Sequence, residues 1–113
     1  MIPQIRPSQF CAWLASVKGH GMPVVLDVRE PSELQTAHIK ADGFDVVAIP
    51  MSLLPLRLAE LNVGQPTACL CHHGARSMQM ATFLNQQGFS LVVNIAGGID
   101  AWSVEVDSSV PRY

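Results

Sequence analysis

One short stretch of the sequence combines a nucleophile with groups that can stabilise negative charge. Cys71 follows an apolar run, and Gly74 and Arg76 come between it and a helical pattern that begins near Ser77. Glycine can adopt the positive φ that a tight curl requires, so the backbone amides of this loop can turn inward at a helix N-terminus. Such amides, the helix dipole and a guanidinium all stabilise a thiolate. The stretch therefore predicts that Cys71 is a nucleophile surrounded by an anion-binding cradle of amides.

The residues beside Cys71 have simpler interpretations. A free cysteine usually behaves as a small buried hydrophobe, and we expect this of Cys69, which lies inside an apolar run. Cys69, Cys71, His72 and His73 are too closely spaced for a structural zinc site, which prefers two residues between its cysteines. We therefore predict no metal site here.

Four short apolar runs predict the strands that position the loop. Their hydrophobicity is continuous rather than alternating, which is typical of strands covered by helices on both faces. The runs are residues 24–26, 46–49, 68–70 and 91–93. Their alternation with helical spacing predicts an α/β fold with a mostly parallel sheet. Ligands bind beyond the carboxyl ends of such strands, so the charged residues 27–30 and the loop 71–76 should lie at the same end.

Helical periodicity lies before, between and after these runs. The predicted helices run from Ser8 as N-cap to about residues 19–21, over residues 53–61, from after Arg76 to Gly88, and over residues 99–102. Trp13 and Trp102 lie on apolar helical faces, so both are predicted to belong to the core.

Length and composition restrict the class of protein. The chain has 113 residues, so residues 1–113 are expected to form one domain that needs neither disulfides nor a structural metal. It is 49% hydrophobic and 14% charged, which excludes disorder. The net charge of -2 argues against a nucleic-acid partner. The uncharged stretch between Arg76 and Asp100 is interrupted by polar residues, so no membrane span is predicted.

The cysteines and the N-terminal residues predict the compartment. Three cysteines do not make a disulfide framework, and no basic start followed by an apolar segment is visible. We therefore expect a cytoplasmic protein. Its low charge leaves open whether it is a monomer or a weak homodimer.

Four motifs of the chain resemble those of single-domain rhodaneses, a family of sulfurtransferases. Residues 71–77 (CHHGARS) are similar to the family's active-site loop in the positions of the cysteine, the glycine, the arginine and the serine. The other motifs are residues 26–31 (LDVREP), 37–39 (AHI) followed by 48–50 (AIP), and 97–102 (GGIDAW). Together they extend over nearly the whole chain in the family's order. The resemblance implies a three-layer α/β/α fold with a central, mostly parallel sheet of five strands.

The resemblance also implies a reaction. In rhodaneses the loop cysteine takes the outer sulfur of thiosulfate, sulfite leaves, and the resulting persulfide passes its sulfur to cyanide or a thiol. Cys71 is then the catalytic residue, Asp27 and Arg29 brace the loop, and no cofactor is needed. The partners implied are a small anionic sulfur donor and a thiol or protein acceptor. The residues implied to bind the donor are His72, His73, Gly74, Ala75, Arg76 and Ser77.

Alternatives to a thiosulfate sulfurtransferase remain. Cys71 to Arg76 is six residues, as in sulfurtransferases, whereas related phosphatases and arsenate reductases have one more, so that activity is disfavoured. A non-catalytic rhodanese-like binding module is disfavoured because both of these residues are present. His72 and His73 stand where many thiosulfate-using members have a basic residue. The donor could therefore be thiosulfate, an organic persulfide or a protein persulfide.

Overall fold

The computed structural model describes residues 2–113 and contains one sheet of five strands. The strands are β1 Gln4–Ile5, β2 Val24–Asp27, β3 Asp45–Ala48, β4 Thr67–Leu70 and β5 Val92–Ile95. Their spatial order is β1-β5-β4-β2-β3, and every neighbouring pair is parallel. The four predicted strands are confirmed. The two-residue β1 has no hydrophobic pattern of its own, and only its pairing with β5 makes it a strand.

Four α-helices accompany the strands. They are α1 Phe10–Ser16, α2 Pro31–Thr36, α3 Ala75–Gln86 and α4 Gly98–Glu105, and two 3-10 helical turns cover Pro7–Gln9 and Leu58–Glu60. None of the helices within residues 2–113 has the length and apolar character needed to cross a membrane.

The sheet separates two apolar clusters, which gives the molecule three layers. One cluster contains Trp13 of α1 and Trp102 of α4, so both tryptophans are confirmed as core residues. The other contains Leu84 of α3. Successive residues of a strand point to opposite faces, and Val25 accordingly joins the first cluster while Leu26 joins the second. Strands β2, β4 and β5 are buried throughout because both of their faces are covered, whereas the edge strand β3 is only partly buried.

The parallel register brings the carboxyl ends of the central strands to one edge of the sheet. Asp27, the last residue of β2, pairs with Leu70, the last residue of β4. Strand β5 lies on the other side of β4 and is parallel to it. Arg29, Cys71 and Gly97 follow these three strands, so the predicted common edge for the charged residues and the loop is confirmed.

The predicted helix over residues 53–61 is wrong. Residues 51–57 form successive turns, and Leu58–Glu60 makes a single 3-10 turn. Pro55 lies in the middle of this stretch, where its missing N–H and its ring are incompatible with a continuous α-helix. Leu54 is fully buried, so the apolar spacing reflects packing of a turn rather than a helix.

Helix α2 was not among the predicted helices because it has no buried residue and therefore no apolar stripe. The sequence features that indicate this helix lie at its N-terminus. Pro31 occupies the first turn, and the Glu33 side chain accepts a hydrogen bond of 2.9 Å from the backbone N–H of Glu30. This is half of a capping box, which marks a helix start independently of hydrophobicity.

The first helix is shorter than predicted at both ends. Ser8 is not its N-cap, because proline begins a separate 3-10 turn at Pro7–Gln9 and α1 starts at Phe10. The helix ends at Ser16 rather than near residues 19–21. The Ser16 hydroxyl donates to a carbonyl of the preceding turn at 2.7 Å, a bond that competes with helix continuation.

Candidate active site

Cys71 lies directly after β4, and its side chain is enclosed by hydrogen-bond donors. The residue is 1% exposed. Its Sγ accepts hydrogen bonds from the Gly74 N–H at 3.0 Å, the Ser77 N–H at 3.3 Å and the Ser77 hydroxyl at 3.3 Å. Donors that converge on a sulfur atom stabilise its anionic form. The arrangement can therefore donate hydrogen bonds to negative charge that develops on this sulfur.

Gly74 lets the chain turn from this loop directly into α3. Its φ of +105° and ψ of −10° belong to the left-handed region that glycine adopts without strain. A Cβ at this position would also lie 3.1 Å from the backbone nitrogen of Gly97. Because of this turn α3 begins at Ala75, whereas the sequence predicted a start after Arg76.

The first turn of α4 forms backbone hydrogen bonds with the start of the loop. The Ile99 N–H donates to the carbonyl of Cys71 at 2.9 Å, and the Asp100 N–H donates to the carbonyl of His72 at 3.2 Å. In a trans peptide the N–H points opposite to the C=O. The amides of His72 and His73, which share those peptide planes, therefore point away from α4.

Four amides of the loop are left without a protein acceptor. Two further amides already bind the Cys71 sulfur. Within the part of the chain that the structure describes, the unengaged amides are those of His72, His73, Ala75 and Arg76. Two of these belong to the first turn of α3, whose N–H groups have no partner inside the helix. The loop can therefore donate to an additional anionic atom beyond the cysteine sulfur.

Ser77 is held by a buried amide on the neighbouring strand. Its hydroxyl oxygen lies 2.6 Å from Oδ1 of Asn94, and the Asn94 amide donates to the carbonyl of Gly74 at 3.1 Å. A hydroxyl has one proton, so Ser77 donates either to Oδ1 of Asn94, at the shorter distance, or to the Cys71 sulfur, and not to both at once. Sequence analysis missed Asn94, although an amide inside the otherwise apolar β5 is its signal.

Arg76, which the sequence predicts to bind the anionic donor, forms an ion pair with a carboxylate of α2. Its two terminal nitrogens donate to the two oxygens of Glu33, each at 2.8 Å. These hydrogen bonds are the main reason that the pKa of Glu33 is lowered to about 2, and they also raise the pKa of Arg76. Glu33 was missed because α2 has no apolar pattern, although its capping-box position was a usable signal.

Asp27 and Arg29 form a buried ion pair whose link to the loop is indirect. The Arg29 side chain has no exposed surface, and its Nη2 and Nε donate to Asp27 at 2.7 and 2.9 Å. Arg29 also donates to the carbonyl of Ala37 at 2.8 Å and to the hydroxyl of Tyr113 at 2.9 Å. Burial lowers the pKa of Arg29, but the hydrogen bonds with Asp27 and Tyr113 outweigh it and raise the pKa.

Tyr113 connects this ion pair to the loop. Its ring stacks on His72 with centroids 3.9 Å apart and planes 6° from parallel, and His72 stacks in turn on His73 at 3.8 Å. The Tyr113 hydroxyl donates to Glu33 at 3.0 Å while it accepts from Arg29. No sequence signal indicated this residue, because the contact joins positions far apart in the chain.

Three side chains near the loop come close enough to be considered as metal ligands. Ligand atoms of His72, His73 and Asp100 all lie within 4.8 Å of one another. The two imidazole planes are only 27° apart, so their nitrogen lone pairs run side by side rather than to a common point. Asp100 is also engaged by Arg112 at 2.9 Å. Metal binding would therefore require these side chains to rearrange.

The other two cysteines differ from Cys71 in their surroundings. Cys69 is fully buried in β4, as expected from its apolar run, and burial raises the pKa of its thiol to about 12. Cys11 is exposed on α1. Neither thiol has the converging donors that surround Cys71.

Comparison with known proteins finds one family. The Rhodanese-like domain matches residues 11–105. The protein named "Rhodanese-like/PpiC domain-containing protein 12, chloroplastic" of Arabidopsis thaliana is 43% identical over 91 residues, which are 79% of this chain and 30% of that protein. The chain thus spans less than a third of that relative.

A bacterial relative and a solved structure match over more of their length. A protein named "Sulfurtransferase" from Allochromatium vinosum is 36% identical over 80 residues, which are 71% of each chain. The crystal structure of a rhodanese-related protein from Thermoplasma volcanium superposes with a TM-score of 0.76 and 31% identity, covering 92% of this chain and 93% of that one.

Proposed function

The chain belongs to the rhodanese-like domain family, and from this membership we propose that it is a sulfurtransferase that carries sulfane sulfur as a persulfide on Cys71. The observation that carries the proposal is the convergence of the Gly74 N–H, the Ser77 N–H and the Ser77 hydroxyl on the Cys71 sulfur. These donors face the sulfur that carries the negative charge when Cys71 is a thiolate, whereas in the persulfide the charge lies on the added terminal sulfur.

In the first half-reaction the Cys71 thiolate attacks the sulfane sulfur of the donor. With thiosulfate, the new bond joins Sγ to that sulfur, the old S–S bond breaks, and its electron pair leaves with sulfite. The product is a cysteine persulfide anion, and charge is conserved without any external oxidant or reductant. Attack by a thiolate on a sulfur–sulfur bond is ordinary exchange chemistry.

The added sulfur needs its own hydrogen-bond donors. It lies about 2.05 Å from Sγ, the length of a sulfur–sulfur bond. The same loop supplies these donors through its unengaged amides, those of His72, His73, Ala75 and Arg76. Preorganised amides require no rearrangement when charge arrives, which lowers the barrier of the transfer step.

In the second half-reaction an acceptor removes the added sulfur. A thiolate attacks the terminal sulfur, the bond to Sγ breaks, and Cys71 returns as a thiolate while the acceptor becomes a persulfide. Cyanide performs the same step and becomes thiocyanate. We propose a reducing compartment such as the cytoplasm for this cycle, because it keeps the thiols of enzyme and acceptor free.

The kinetic pattern tests this proposal. With thiosulfate and cyanide varied together, a double-displacement enzyme gives parallel double-reciprocal lines. Cys71→Ser should abolish thiocyanate formation, whereas Cys11→Ser should retain it, because Cys11 is exposed on α1. Intersecting lines, or activity in Cys71→Ser, would contradict the proposal. Hydrolysis of an aryl phosphate in place of sulfur transfer would support the phosphatase alternative.

A further inference from the structure

The arginines at the carboxyl edge of the sheet are all neutralised by carboxylates. The pairs are Arg29 with Asp27, Arg76 with Glu33, and Arg112 with Asp100. Arg6, which follows β1 at the same edge, pairs with Glu105, and Arg57 pairs with Glu60. The two lysines, Lys18 and Lys40, lie in the connections that lead into β2 and β3, away from the carboxyl edge. Among residues 2–113, the edge that carries the loop therefore presents no unpaired arginine or lysine.

The pair between Arg76 and Glu33 is the one that bears on the sulfur donor. Arg76 is part of the loop, and its side chain is 34% exposed while that of Glu33 is 19% exposed. A guanidinium bound through two nitrogens at 2.8 Å is held in one orientation and has its charge offset at contact distance. A donor that approaches the loop meets this carboxylate together with the guanidinium.

Glu33 is fixed in this position from three sides. Besides Arg76, its carboxylate accepts the backbone N–H of Glu30 at 2.9 Å and the hydroxyl of Tyr113 at 3.0 Å. The first contact belongs to the N-terminal turn of α2, and the second comes from the residue that stacks on His72. Such a carboxylate does not swing away when an anion arrives, unlike an isolated surface ion pair.

These contacts have a consequence for substrate charge. The amides of the loop can form hydrogen bonds to an anionic sulfur, whatever the charge on the rest of the substrate molecule. A donor with a second negative charge, such as thiosulfate, needs an additional cation, and Glu33 has neutralised the one that the loop contains. A donor whose sulfane group carries a single negative charge has no such need.

We propose that Glu33 determines donor specificity: by neutralising Arg76 it selects organic sulfane donors of single negative charge, persulfides or thiosulfonates, over dianionic thiosulfate. The inference rests on the proposed function. With a persulfide the Cys71 thiolate takes the terminal sulfur and a thiolate leaves. With a thiosulfonate the same bond forms and a sulfinate leaves with the electron pair. Both exchanges conserve atoms and charge.

The test compares two donors in two proteins, with cyanide as the common acceptor. Methanethiosulfonate and thiosulfate both carry the sulfane sulfur on an oxidised sulfur atom, but they carry one and two charges. Because their leaving groups differ, the informative quantity is the change in the ratio of their kcat/KM values. In Glu33→Gln we expect kcat/KM for thiosulfate to rise about tenfold because its KM falls, while kcat/KM for methanethiosulfonate stays within about threefold of the wild-type value.

The control is Glu60→Gln, which removes a carboxylate from an exposed pair outside the loop and should leave the ratio unchanged.

A second variant keeps the test valid if Glu33→Gln does not fold. Asp100→Asn releases the exposed Arg112 at the same edge, and it should raise kcat/KM for thiosulfate in the same direction by a smaller factor. A ratio that stays at the wild-type value in a folded Glu33→Gln, or in Asp100→Asn where Glu33→Gln does not fold, would overturn the inference alone, as would equal losses with both donors. If neither donor turns over in any of these proteins, the proposed function fails and the inference fails with it.

Discussion

Gly98 lies against the backbone of Cys71 so closely that no side chain fits between them. A Cβ on Gly98 would be 2.4 Å from the carbonyl oxygen of Cys71. The residue has a φ of +60°, and the N–H of the next residue donates to that same carbonyl at 2.9 Å. The start of α4 therefore sets the orientation of the first peptide of the loop, and with it the direction of the amides.

Gly98→Ala should displace the loop as well as destabilise the protein. The positive φ alone costs an alanine about 1–2 kcal/mol. The collision with backbone atoms adds to this and must move the loop. Gly43→Ala is the matched control, because Gly43 has a φ of +76° with nothing within 4 Å of the added Cβ. We expect a larger loss of Tm in Gly98→Ala than in Gly43→Ala, and a loss of sulfur transfer in Gly98→Ala only. Equal effects of the two variants on both properties would contradict this.

Asp27→Asn should destabilise the fold strongly. It leaves the guanidinium of Arg29, which has no exposed surface, without its carboxylate partner. Breaking a buried pair in this way costs about 3–5 kcal/mol. Arg57→Gln breaks an exposed pair with Glu60 and should cost less than about 1 kcal/mol. Urea unfolding of the two variants measures the difference, and similar small losses in both would mean that the buried pair does not stabilise the fold.

Ser77→Ala should weaken the support of the Cys71 anion. The variant loses the hydroxyl that lies 3.3 Å from Sγ and keeps the Ser77 backbone N–H. A hydrogen bond to a charged group is worth about 1.5–3 kcal/mol, so we expect the rate of thiol alkylation at neutral pH to fall about tenfold or more. In Ser16→Ala the same substitution removes a hydroxyl on α1 that bonds a carbonyl, and the rate should not change. An unchanged rate in a folded Ser77→Ala would show that the two amides suffice.

The ion pair of Glu33 should contribute a pH-dependent part of the stability. The pKa of its carboxyl is lowered from 4.5 to about 2, mainly by hydrogen bonds from Arg76. A lowered pKa in the folded state stabilises the protein above pH 4.5, and this stabilisation is lost as the pH falls towards 2. Urea unfolding should therefore show wild type more stable than Glu33→Gln at pH 6, with the difference shrinking between pH 4.5 and 2. A difference that is constant with pH would contradict the ionic origin.

The sequence predicts the parts of this protein that depend on local pattern. Strands β2, β4 and β5 are found because they are buried throughout, which makes their runs continuously apolar. The partly buried β3 is found from its apolar run alone. The turn at Gly74 is found because a glycine at this spacing after a strand has few other uses, and the sequence also places Cys71 at the start of this loop. Apolar spacing misleads where proline interrupts it, as at Pro55, where the structure has turns instead of a helix.

The contacts that complete the site are not visible in local pattern. Glu33, Asn94 and Tyr113 reach the loop across 43, 17 and 41 residues of sequence, by contacts with Arg76, Ser77 and His72 respectively. The amide of Asn94 in an apolar strand and the capping-box position of Glu33 mark these residues as unusual, but neither signal says which residue they contact. Only the sheet order, which places β5 and β2 on either side of β4, brings their segments to the loop.

The intact mass of the protein after brief incubation with a sulfane donor tests the central claim most directly. Wild-type protein is treated with thiosulfate or with methanethiosulfonate, beside Cys71→Ser. The account predicts a gain of one sulfur atom in the wild type, loss of that mass when cyanide is added, and no gain in Cys71→Ser. No gain with either donor, or an equal gain in Cys71→Ser, would contradict a persulfide on Cys71.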